Sequence, residues 1–356
     1  MKLRASAPGK LLLLGEYAVL EGAPALVMAV DRRAVAELTT SNDGCSIFAP
    51  EVHPEPVAFT LADDGTPLWR DTEVASRFVL VAQVMRVLTA RGLMPATSFR
   101  LRLDSAAFFQ HTTGDDGAAP AKLGLGSSAA MTTALASVLV AGAGHVAQLE
   151  DRSAWLSTLL QIHRVFQGGR GSGVDVAAAV FGGVIRYRLD QDTPRVTPLT
   201  WPTQLQRFWV WSGQSASTSQ FLTTLEAWHA RQPEAYARHM AELTAIAEAG
   251  ARAATDGNAV DLRHALAAAG AALHKLGEAS KIPIFSAAHR RIGDVVEIAG
   301  GSYKPCGAGG GDLGLAVAGD AATAASVRAA LAAAAHVVLG LGVDGTGLVI
   351  EDVSRG

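Results

Sequence analysis

Residues 122–130 carry the types and spacing best suited to chemistry in this sequence. They read Lys-Leu-Gly-Leu-Gly-Ser-Ser-Ala-Ala and run directly into residues 131–139, an apolar segment that predicts a helix. The first backbone N–H groups of a helix have no partner within it, and the helix dipole adds partial positive charge there. Because glycines let the main chain approach a ligand closely, the stretch suits a phosphate group. On this stretch alone, a glycine-rich turn with Ser127 or Ser128 as an ordinary N-cap is an equal alternative.

Two better-known phosphate motifs do not fit this stretch. A P-loop needs Lys directly after its second glycine, and Ser127 follows Gly126 instead. The spacing of Gly124, Gly126 and Ala129 does match the loose dinucleotide-binding pattern, but residues 115–120 form a poor strand to precede it. No acidic residue follows on a predicted strand at the distance that the pattern requires. We therefore interpret the dinucleotide match as accidental.

A further glycine-rich stretch, residues 307–311, has Lys304 before it and Asp312 after it. Four glycines in five residues, just ahead of a predicted strand, expose many N–H groups within one concavity, which suits anions. The alternative is a flexible hairpin loop, but such linkers usually contain Ser and lack adjoining charges. Only six of the 30 basic residues are Lys, yet Lys10, Lys122 and Lys304 all fall in glycine-rich stretches. Lysine is a compact point charge suited to phosphate.

A single carboxylate, Asp175, lies at the start of a predicted helical segment, next to Ser172 and Gly173. An Asp at a helix start is most often a cap. A base that receives a hydroxyl proton nevertheless needs such a carboxylate near a phosphate clamp. The ten histidines show no His-Glu-x-x-His spacing and the chain has no Cys-x-x-Cys, so no metal site is indicated. Ser127 and Ser128 lack the context of a hydrolase nucleophile.

Composition excludes several classes of function. With 49% hydrophobic and 18% charged residues, the 356-residue chain can form sizeable cores, and two domains are expected. The formal net charge of −3 leaves no basic surplus for binding nucleic acid or an acidic membrane. The two cysteines, Cys45 and Cys306, indicate no disulfide framework and fit a reducing compartment. The N-terminus shows no signal-peptide pattern and no stretch approaches a bilayer span, so we expect a cytoplasmic protein.

The elements that must position these residues fall into two groups. Strand patterns dominate the first part of the chain, at residues 3–7, 11–14, 25–30 and 33–40 among others, with breaks predicted at residues 8–10 and 15–17. A helix is predicted over residues 72–91. Long helical patterns follow Gly213, at residues 219–231, 234–255, 260–277 and 285–299. The composition changes near residues 200–206, so the expected domains are 1–203 and 204–356.

The three glycine-rich stretches, in this order, resemble the motifs of the GHMP small-molecule kinases. Residues 8–17 are similar to the first motif, residues 124–130 to the second almost letter for letter, and residues 307–311 to the third. The match covers nearly the whole chain. The resemblance implies an α+β fold, with an N-terminal domain like ribosomal S5 domain 2 and a ferredoxin-like C-terminal domain with extra helices. ATP and the acceptor would meet in the cleft between the two domains.

Within that family, the details resemble the phosphomevalonate kinases. Tyr17 stands where mevalonate kinases usually have His, and Lys122 precedes Gly-Leu-Gly-Ser-Ser. Residues 211–219 are similar to the Trp-Thr-Gly-x-x-Ala-Ser-Thr-Ser segment of that branch, and Asp312 follows the triple glycine as it does there. The resemblance implies an ATP- and Mg²⁺-dependent transferase that converts 5-phosphomevalonate to 5-diphosphomevalonate in the mevalonate pathway of isoprenoid biosynthesis.

The resemblance also implies roles for individual residues. Lys10 and Asp175 would be catalytic and face the acceptor, and Ser128 would be a ligand of Mg²⁺. The ATP phosphates would be bound by Lys122, Gly124, Leu125, Gly126, Ser127, Ser128 and Ala129. Contacts to the acceptor would come from Lys10, Tyr17, Ser172, Gly173, Asp175, Ser217, Gly307, Ala308, Gly309 and Gly310. A phosphate acceptor is largely ionised at neutral pH, with a second pKa of about 6, so Asp175 would orient it while Lys10 offsets the repulsion between anions.

The charge of such an acceptor needs further cations, and Lys122, Arg170 and Lys304 are the candidates, with Lys122 first. Cys306 departs from the Ser or Thr usual in the third motif. Residues 154–167 contain no acid, whereas mevalonate kinases carry a Glu ligand for Mg²⁺ there; this disfavours mevalonate kinase, the main alternative, and leaves the second metal contact unassigned. Another small-molecule kinase of this fold, or a non-catalytic ligand sensor, is a further alternative. We expect a small phosphate-bearing molecule as partner, and a monomer or homodimer.

Overall fold

The computed structural model describes residues 1–110, 121–166, 171–190, 193–216 and 218–354 of the chain. The strands are β1 (Lys2–Leu14), β2 (Ala25–Thr40), β3 (Cys45–Ala49), β4 (His53–Leu61), β5 (Pro67–Trp69), β6 (Phe99–Asp104), β7 (Phe109–Gln110), β8 (Ala121–Lys122), β9 (Val184–Asp190), β10 (Thr193–Leu199), β11 (Gln206–Trp211), β12 (Ser302–Pro305), β13 (Leu313–Ala318), β14 (Val337–Leu339) and β15 (Val349–Asp352). The helices are α1 (Thr72–Arg77), α2 (Val79–Ala90), α3 (Ser127–Gly142), α4 (Arg152–Phe166), α5 (Val174–Phe181), α6 (Thr218–Arg231), α7 (Pro233–Thr255), α8 (Ala259–Ser280), α9 (Ala287–Ile298) and α10 (Ala321–Ala333). Short 3-10 helices lie at Ala18–Glu21, Ala106–Phe108 and Val146–Leu149.

A nine-stranded sheet forms the frame of the N-terminal part. Strands β10, β9, β2, β6, β3, β4 and β5 lie side by side in that order, and β1 pairs with β2 and β15. The pairs are antiparallel except for β3 with β6. Helix α3 packs on β1 and β2, and residues 129–141 of it are all buried. A helix that is apolar on every side belongs in a core, so the start of α3 is fixed against β1.

The first strand is continuous, although the sequence predicts a break at its Pro-Gly pair. Pro8 lies opposite Arg33 and Gly9 opposite Val30, so the register of β1 with β2 shifts at this point. A β-bulge leaves residues 31–32 without partners on β1 while both strands continue. The break predicted at residues 15–17 is confirmed, since β1 ends at Leu14. Residues 25–30 and 33–40, which the sequence predicts as strand, belong to one strand of 16 residues, β2.

The helix predicted over residues 72–91 is two helices. Helix α1 ends and α2 begins at Phe78, whose backbone departs from helical geometry, with φ −101° and ψ 25°. Its ring is stacked on Trp69 of β5, with the ring centroids 5.0 Å apart. Tertiary packing of this buried ring therefore overrides the local helical pattern.

A four-stranded sheet in the order β12, β13, β11, β14 forms the C-terminal part. Helices α9 and α10 pack on it around Phe208, Val296 and Leu331. The core of α6, α7 and α8 is a separate group that includes Trp228 and Leu273. The four long helices predicted after Gly213 correspond to α6–α9. Largely antiparallel sheets with helices grouped beside them make the fold α+β, as predicted.

The last strand returns to the N-terminal sheet, where β15 pairs antiparallel with β1. The division into 1–203 and 204–356 would place β15 with the C-terminal unit, so this strand would cross from one domain to the other. The division itself stays a prediction. Within the described ranges, no helix combines the length and apolar character needed to cross a membrane.

Candidate active site

A cavity of about 450 Å³ opens between β1, the starts of α3, α5 and α6, and the loop between β12 and β13. We call it the α3 cavity. The predicted site residues that line it are Lys10, Tyr17, Lys122, Gly124, Gly126, Ser127, Ser128, Ser172, Asp175, Gly307 and Ala308. The fold thus brings the three glycine-rich stretches and Asp175 to one place.

The start of α3 faces this cavity. Gly126 is the N-cap residue, with φ 76°, and no side chain within the described ranges caps the helix. The interpretation of Ser127 or Ser128 as an ordinary N-cap is therefore wrong, and both residues line the cavity. Since no side chain takes up the first N–H groups of α3, they and the helix dipole remain available to an anion.

The loop before α3 lies directly against β1. A Cβ atom at Gly9 would be 2.7 Å from the carbonyl oxygen of Leu125, and the backbone N–H of Lys10 donates to that same oxygen at 2.8 Å. Gly9 is thus required for the close approach, because any larger residue would push the strand and the loop apart. This contact positions the side chain of Lys10 beside the loop.

Lys10 and Asp175 converge on Gly126. A Cβ atom at Gly126 would lie 3.3 Å from both Cγ and Cε of Lys10, and 3.6 Å from Cβ of Asp175. The ammonium of Lys10 donates to the carbonyl oxygen of Gly124 at 3.4 Å. An ammonium and a carboxylate from distant parts of the chain therefore flank the amino end of α3.

The segment before α5 positions Asp175. Its Oδ1 accepts a hydrogen bond from the next backbone N–H at 3.0 Å, and the hydroxyl of Tyr187 donates to the carbonyl oxygen of Ser172 at 2.7 Å. A Cβ atom at Gly173 would lie 2.1 Å from the side chain of Leu160. Gly173 therefore allows this segment to pack on α4, and it is Ser172 and Asp175 that line the cavity.

The third glycine-rich loop contributes Gly307 and Ala308 to the cavity. Gly309 and Gly310 lie against the connection between α8 and α9 instead. A Cβ atom at Gly309 would be 2.6 Å from the carbonyl oxygen of Ile284, and the N–H of Gly310 donates to that oxygen at 2.8 Å. These two glycines thus hold the loop close to the C-terminal helices.

The remaining predicted residues divide into two groups. Leu125 and Ala129 are fully buried, so their side chains support the loop from within the core and only their backbone atoms are available to a ligand. Ser217 and Arg170 lie outside the described residues. Lys122 is exposed on the rim of the cavity.

Lys304 does not face the cavity as a free cation. Its ammonium forms an ion pair with Glu16, and both side chains are only 1% exposed. The same ammonium donates to the carbonyl oxygen of Pro305 at 2.9 Å. Lys304 therefore neutralises Glu16, which lines the cavity, and the interpretation of Lys304 as a cation for the acceptor is wrong.

No role was predicted for Asp312 from the sequence, yet this residue lines the cavity. A Cβ atom at Gly124 would lie 2.3 Å from this carboxyl group, and Oδ1 of Asp312 accepts a hydrogen bond from the Ala216 N–H at 3.4 Å. Burial raises the pKa of Asp312, while that bond and the charges of Lys10 and Lys122 oppose the rise. Its position directly after the triple glycine was the signal that could have found it.

Cys306 lines the cavity and is buried. Burial raises the pKa of its thiol to about 11, and the ammonium groups of Lys304 and Lys10 only partly offset this. The side chain is therefore a neutral thiol at physiological pH, at the position where the third motif usually has the hydroxyl of Ser or Thr.

One wall of the cavity is apolar, which the sequence did not indicate. Val19 and Leu20 come from the 3-10 helix after β1, and Leu222 comes from α6. Leu20 is 40% exposed. The cavity therefore offers charged groups at the start of α3 and an apolar surface beside Tyr17.

Comparison with known proteins identifies the N-terminal part. Residues 81–183 match the family described as GHMP kinases N terminal domain, and this range includes the loop before α3, α3 itself and Asp175. This stretch of the chain is therefore similar to the GHMP kinase N-terminal domain. The resemblance predicted from the glycine-rich stretches is thereby confirmed.

Similar proteins extend the comparison to the whole chain. A phosphomevalonate kinase from Streptomyces sp. (strain CL190) is 27% identical over 350 residues, covering 87% of this chain and 88% of that protein. A mevalonate kinase from Aeropyrum pernix is 30% identical over 197 residues, covering 55% and 53%. The structure of Streptococcus pneumoniae phosphomevalonate kinase in complex with phosphomevalonate and AMPPNP superposes with a TM-score of 0.74 at 18% identity, covering 96% of this chain and 99% of that one. The predicted GHMP kinase fold is confirmed, and these likenesses support a kinase.

Proposed function

We propose that this GHMP kinase transfers the γ-phosphoryl group of ATP to 5-phosphomevalonate and forms 5-diphosphomevalonate. The observation that carries the proposal is the convergence of Lys10 and Asp175 on Gly126, at the uncapped amino end of α3. Phosphoryl transfer depends on positioning and on charge neutralisation more than on covalent chemistry. The similarity to the Streptomyces phosphomevalonate kinase over most of both chains supports this acceptor.

In the proposed reaction, the loop of residues 124–128 and the first N–H groups of α3 bind the ATP phosphates. An oxygen of the acceptor phosphate attacks the γ-phosphorus, the bond from that phosphorus to the β–γ bridging oxygen breaks, and ADP leaves. This oxygen is already ionised at neutral pH, because the second pKa of a phosphate monoester is about 6. Asp175 therefore orients the acceptor, while Lys10 and Lys122 reduce the repulsion between the two anions.

Mg²⁺ fits the polar residues of the α3 cavity as a partner of ATP. The described residues contain no cluster of three or more His, Cys, Asp or Glu that could enclose a metal ion. Mg²⁺ at phosphoryl-transfer sites is typically held by one or two protein oxygens together with substrate phosphates and water. The hydroxyl of Ser128 would supply one such oxygen, with the carboxylates of Asp175 and Asp312 available as a second. The ion supplies charge neutralisation on the phosphate oxygens when it is bound.

The apolar wall supports an acceptor with a hydrocarbon body. Tyr17, Val19, Leu20 and Leu222 all line the cavity. Burying the carbon skeleton of mevalonate there would contribute about 25 cal/mol for each Å² of apolar surface removed from water. A sugar acceptor, with a hydroxyl on most carbons, would leave polar groups unpaired against this wall.

The test is a coupled ADP-release assay with a panel of acceptors, and ³¹P NMR of the product. We expect turnover with 5-phosphomevalonate and a product that shows the two coupled signals of a diphosphate. Turnover with mevalonate and none with 5-phosphomevalonate would reject the proposed acceptor. ATP binding without transfer to any isoprenoid or sugar acceptor would instead indicate a non-catalytic sensor.

Mevalonate kinase is the second candidate, and the similarity to the Aeropyrum enzyme favours it. Two features argue against it. Helix α4 contains no acidic residue that could serve as a further metal ligand. The cavity is also lined by two ammonium groups, those of Lys10 and Lys122, and mevalonate, which carries no phosphate, needs fewer cations than 5-phosphomevalonate. The same acceptor panel decides between the two kinases.

A further inference from the structure

His289 of helix α9 is fully buried, and both nitrogens of its imidazole ring have a partner. Nε2 lies 2.8 Å from the carbonyl oxygen of Gly311, and Nδ1 lies 2.7 Å from the hydroxyl oxygen of Tyr303 on β12. Gly311 belongs to the third glycine-rich stretch. His289 itself is outside the described lining of the α3 cavity, so it can affect a ligand there only through its neighbours.

The two partners determine which ring nitrogen of His289 carries the proton. A carbonyl oxygen can only accept a hydrogen bond, so Nε2 donates to Gly311. In a neutral ring Nδ1 then accepts, and the hydroxyl of Tyr303 donates to it. Burial lowers the pKa of His289 to about 4; the charge of Lys304 acts in the same direction, and the bond to Gly311 opposes it. The ring is therefore a neutral donor at physiological pH.

The packing around Tyr303 keeps this arrangement in place. Tyr303 is buried, and a Cβ atom at Gly314 of β13 would lie 2.0 Å from its hydroxyl oxygen. On the other side, a Cβ atom at Gly293 of α9 would lie 3.3 Å from its ring. Because these two glycines admit the ring between β13 and α9, the hydroxyl of Tyr303 reaches His289 and holds the imidazole in one orientation.

The peptide group between Gly311 and Asp312 is bonded at both ends. Its carbonyl oxygen accepts from Nε2 of His289, and its N–H donates to the carbonyl oxygen of Gln214 at 2.7 Å. The carbonyl oxygen of Asp312 in turn accepts from the N–H of Ser212 at 2.9 Å. A peptide plane that is held on both edges cannot rotate freely, so the direction in which the Asp312 side chain leaves the backbone is fixed.

Asp312 also has an uncommon backbone conformation. Its φ is 56°, a left-handed value that residues other than glycine adopt only seldom and that persists where the surroundings enforce it. The bonds to the preceding peptide group supply this constraint. They place the carboxyl group against Gly124 in the α3 cavity, where the charges of Lys10 and Lys122 act on it.

We propose that His289 is a positioning residue for phosphoryl transfer: by donating to Gly311, it holds the carboxylate of Asp312 beside Lys10 and Lys122. This role rests on the proposed function, in which the two lysines reduce the repulsion between ATP and the acceptor. A carboxylate held at one place orients both ammonium groups, whereas a loosened one leaves them to adopt several positions. Catalysis of this kind depends on such fixed geometry.

The test replaces His289 by two amides that differ in reach. The side-chain nitrogen of Gln lies at the ε position and can still donate to Gly311, whereas the amide of Asn reaches only the δ position, on the side of Tyr303. In the coupled ADP-release assay, His289→Asn should lower kcat about tenfold to 10²-fold. His289→Gln should recover most of this loss, which a merely space-filling role of the ring would not produce.

Val296→Ala is the matched control for lost stability. Val296 is a fully buried residue further along the same helix, and its side chain packs in the core of the C-terminal sheet. The variant should unfold at lower urea concentration while its kcat stays normal. Circular dichroism checks the folding of every variant.

A double-mutant cycle tests whether His289 acts through Asp312. Asp312→Asn removes the charge that His289 positions, so adding His289→Asn to it should lower kcat little further. Independent residues would instead give effects that multiply.

Hydrogen exchange with mass spectrometry tests the same role in the free protein, without turnover. His289→Asn should speed exchange in residues 310–314, because the N–H of Asp312 loses its fixed orientation toward Gln214, and His289→Gln should not. If this pattern is found and no acceptor is turned over, the proposed reaction fails while the positioning by His289 stands.

Five results would overturn the proposal. They are a normal kcat in folded His289→Asn, no recovery in His289→Gln, an equal loss of kcat in Val296→Ala, effects of His289→Asn and Asp312→Asn that multiply, and unchanged exchange of residues 310–314 in His289→Asn.

Discussion

The hydroxyl of Tyr17 donates a 2.6 Å hydrogen bond to the carbonyl oxygen of Ala308. This bond joins the segment after β1 to the third glycine-rich loop, so it connects two walls of the α3 cavity. Tyr17 has a φ of 61°, a conformation that is uncommon for residues other than glycine and persists only where the surroundings enforce it. The ring is buried, and its packing with the helices of the C-terminal part holds it in place.

Tyr17→Phe should impair catalysis more than stability. The ring packing is kept, but the carbonyl oxygen of Ala308 loses its donor; because this bond is only partly buried and Ala308 lines the cavity, the free energy of unfolding should fall by no more than about 1 kcal/mol. We expect kcat/KM for the acceptor to fall about tenfold, measured by initial rates. The control is Tyr236→Phe, because Tyr236 is bonded to Glu21 outside the lining of the cavity. Equal effects of both substitutions on kcat/KM would contradict the role given to Tyr17.

Breaking the buried ion pair between Lys304 and Glu16 should destabilise the fold strongly. Lys304→Met leaves Glu16 buried without its partner, which typically costs about 3–5 kcal/mol in the free energy of unfolding. The double variant Lys304→Met with Glu16→Gln should recover much of this loss, because no unpaired charge remains. Urea unfolding measures both. Lys275→Met, which breaks an exposed pair with Glu242, should change stability by about 0–1 kcal/mol. If Lys275→Met destabilised the protein as much as Lys304→Met does, the structural role given to the pair of Lys304 and Glu16 would be refuted.

Local patterns predicted much of this molecule because they depend on neighbouring residues. The apolar segment after Ser128 becomes α3, and the helical periodicity after Gly213 becomes α6–α9. The partners of charged side chains were not predictable in this way. Lys304 and Glu16 are 288 positions apart, and only the tertiary fold determines that one neutralises the other. A lysine in a glycine-rich stretch therefore looked like a phosphate ligand and is a structural cation.

The irregularities of backbone geometry were predicted least well. A Pro-Gly pair normally ends a strand, yet Gly9 lies in the middle of β1, where its missing side chain allows contact with Leu125. The Pro-Gly pair correctly marks where the strand becomes irregular, but a β-bulge and the end of a strand produce the same local sequence pattern. Likewise, Gly126 has a positive φ, and neither Ser127 nor Ser128 caps α3. Both features depend on how α3 packs in the fold, which the local sequence does not reveal.

Asp312 should make stability depend on pH. Burial raises the pKa of its carboxyl group above the usual value, so the folded state holds this proton more tightly than the unfolded state does. The free energy of unfolding must therefore fall as the pH rises from the unfolded pKa, about 4, through the folded pKa. Asp312→Asn removes this loss and keeps an acceptor for the Ala216 N–H, so it should be more stable than the unaltered protein at pH 7 and not at pH 3.

Asp320 provides a control of opposite sign for this experiment. Hydrogen bonds from Thr323 lower the pKa of the Asp320 carboxyl group, so its contribution to stability is present above the unfolded pKa and is lost as the pH falls through the folded pKa. Asp320→Asn should therefore destabilise the protein at pH 7 and much less at pH 3. Urea unfolding at the two pH values measures both variants, and the same sign for both would contradict the prediction.

Cys306 should resist thiol reagents in the folded protein. Its pKa of about 11 leaves almost no thiolate at pH 8, and thiolate is the reactive form. Cys45 is partly exposed, so Ellman's reagent should titrate one thiol in the native protein and two in guanidinium chloride. Cys45→Ser should leave no rapidly reacting native thiol. Rapid labelling of that variant would show that Cys306 is accessible.

Substitutions at Lys10 and Asp175 should separate charge neutralisation from proton transfer. Lys10→Ala should lower kcat by about 10²-fold or more, because transition-state charge loses a cation. Lys275→Ala, at an exposed lysine outside the cavity, should retain normal turnover.

Asp175→Ala should also lower kcat by orders of magnitude. Asp175→Asn should keep a measurable part of the activity on a phosphate acceptor, since an amide still orients an oxygen that is already ionised. On a hydroxyl acceptor, which needs a base, Asn should be as damaging as Ala. Measurement of kcat for these variants, each checked for folding, decides the point: near-normal turnover in Lys10→Ala would reject its role, and equal losses for Asn and Ala at position 175 would show that Asp175 removes a proton.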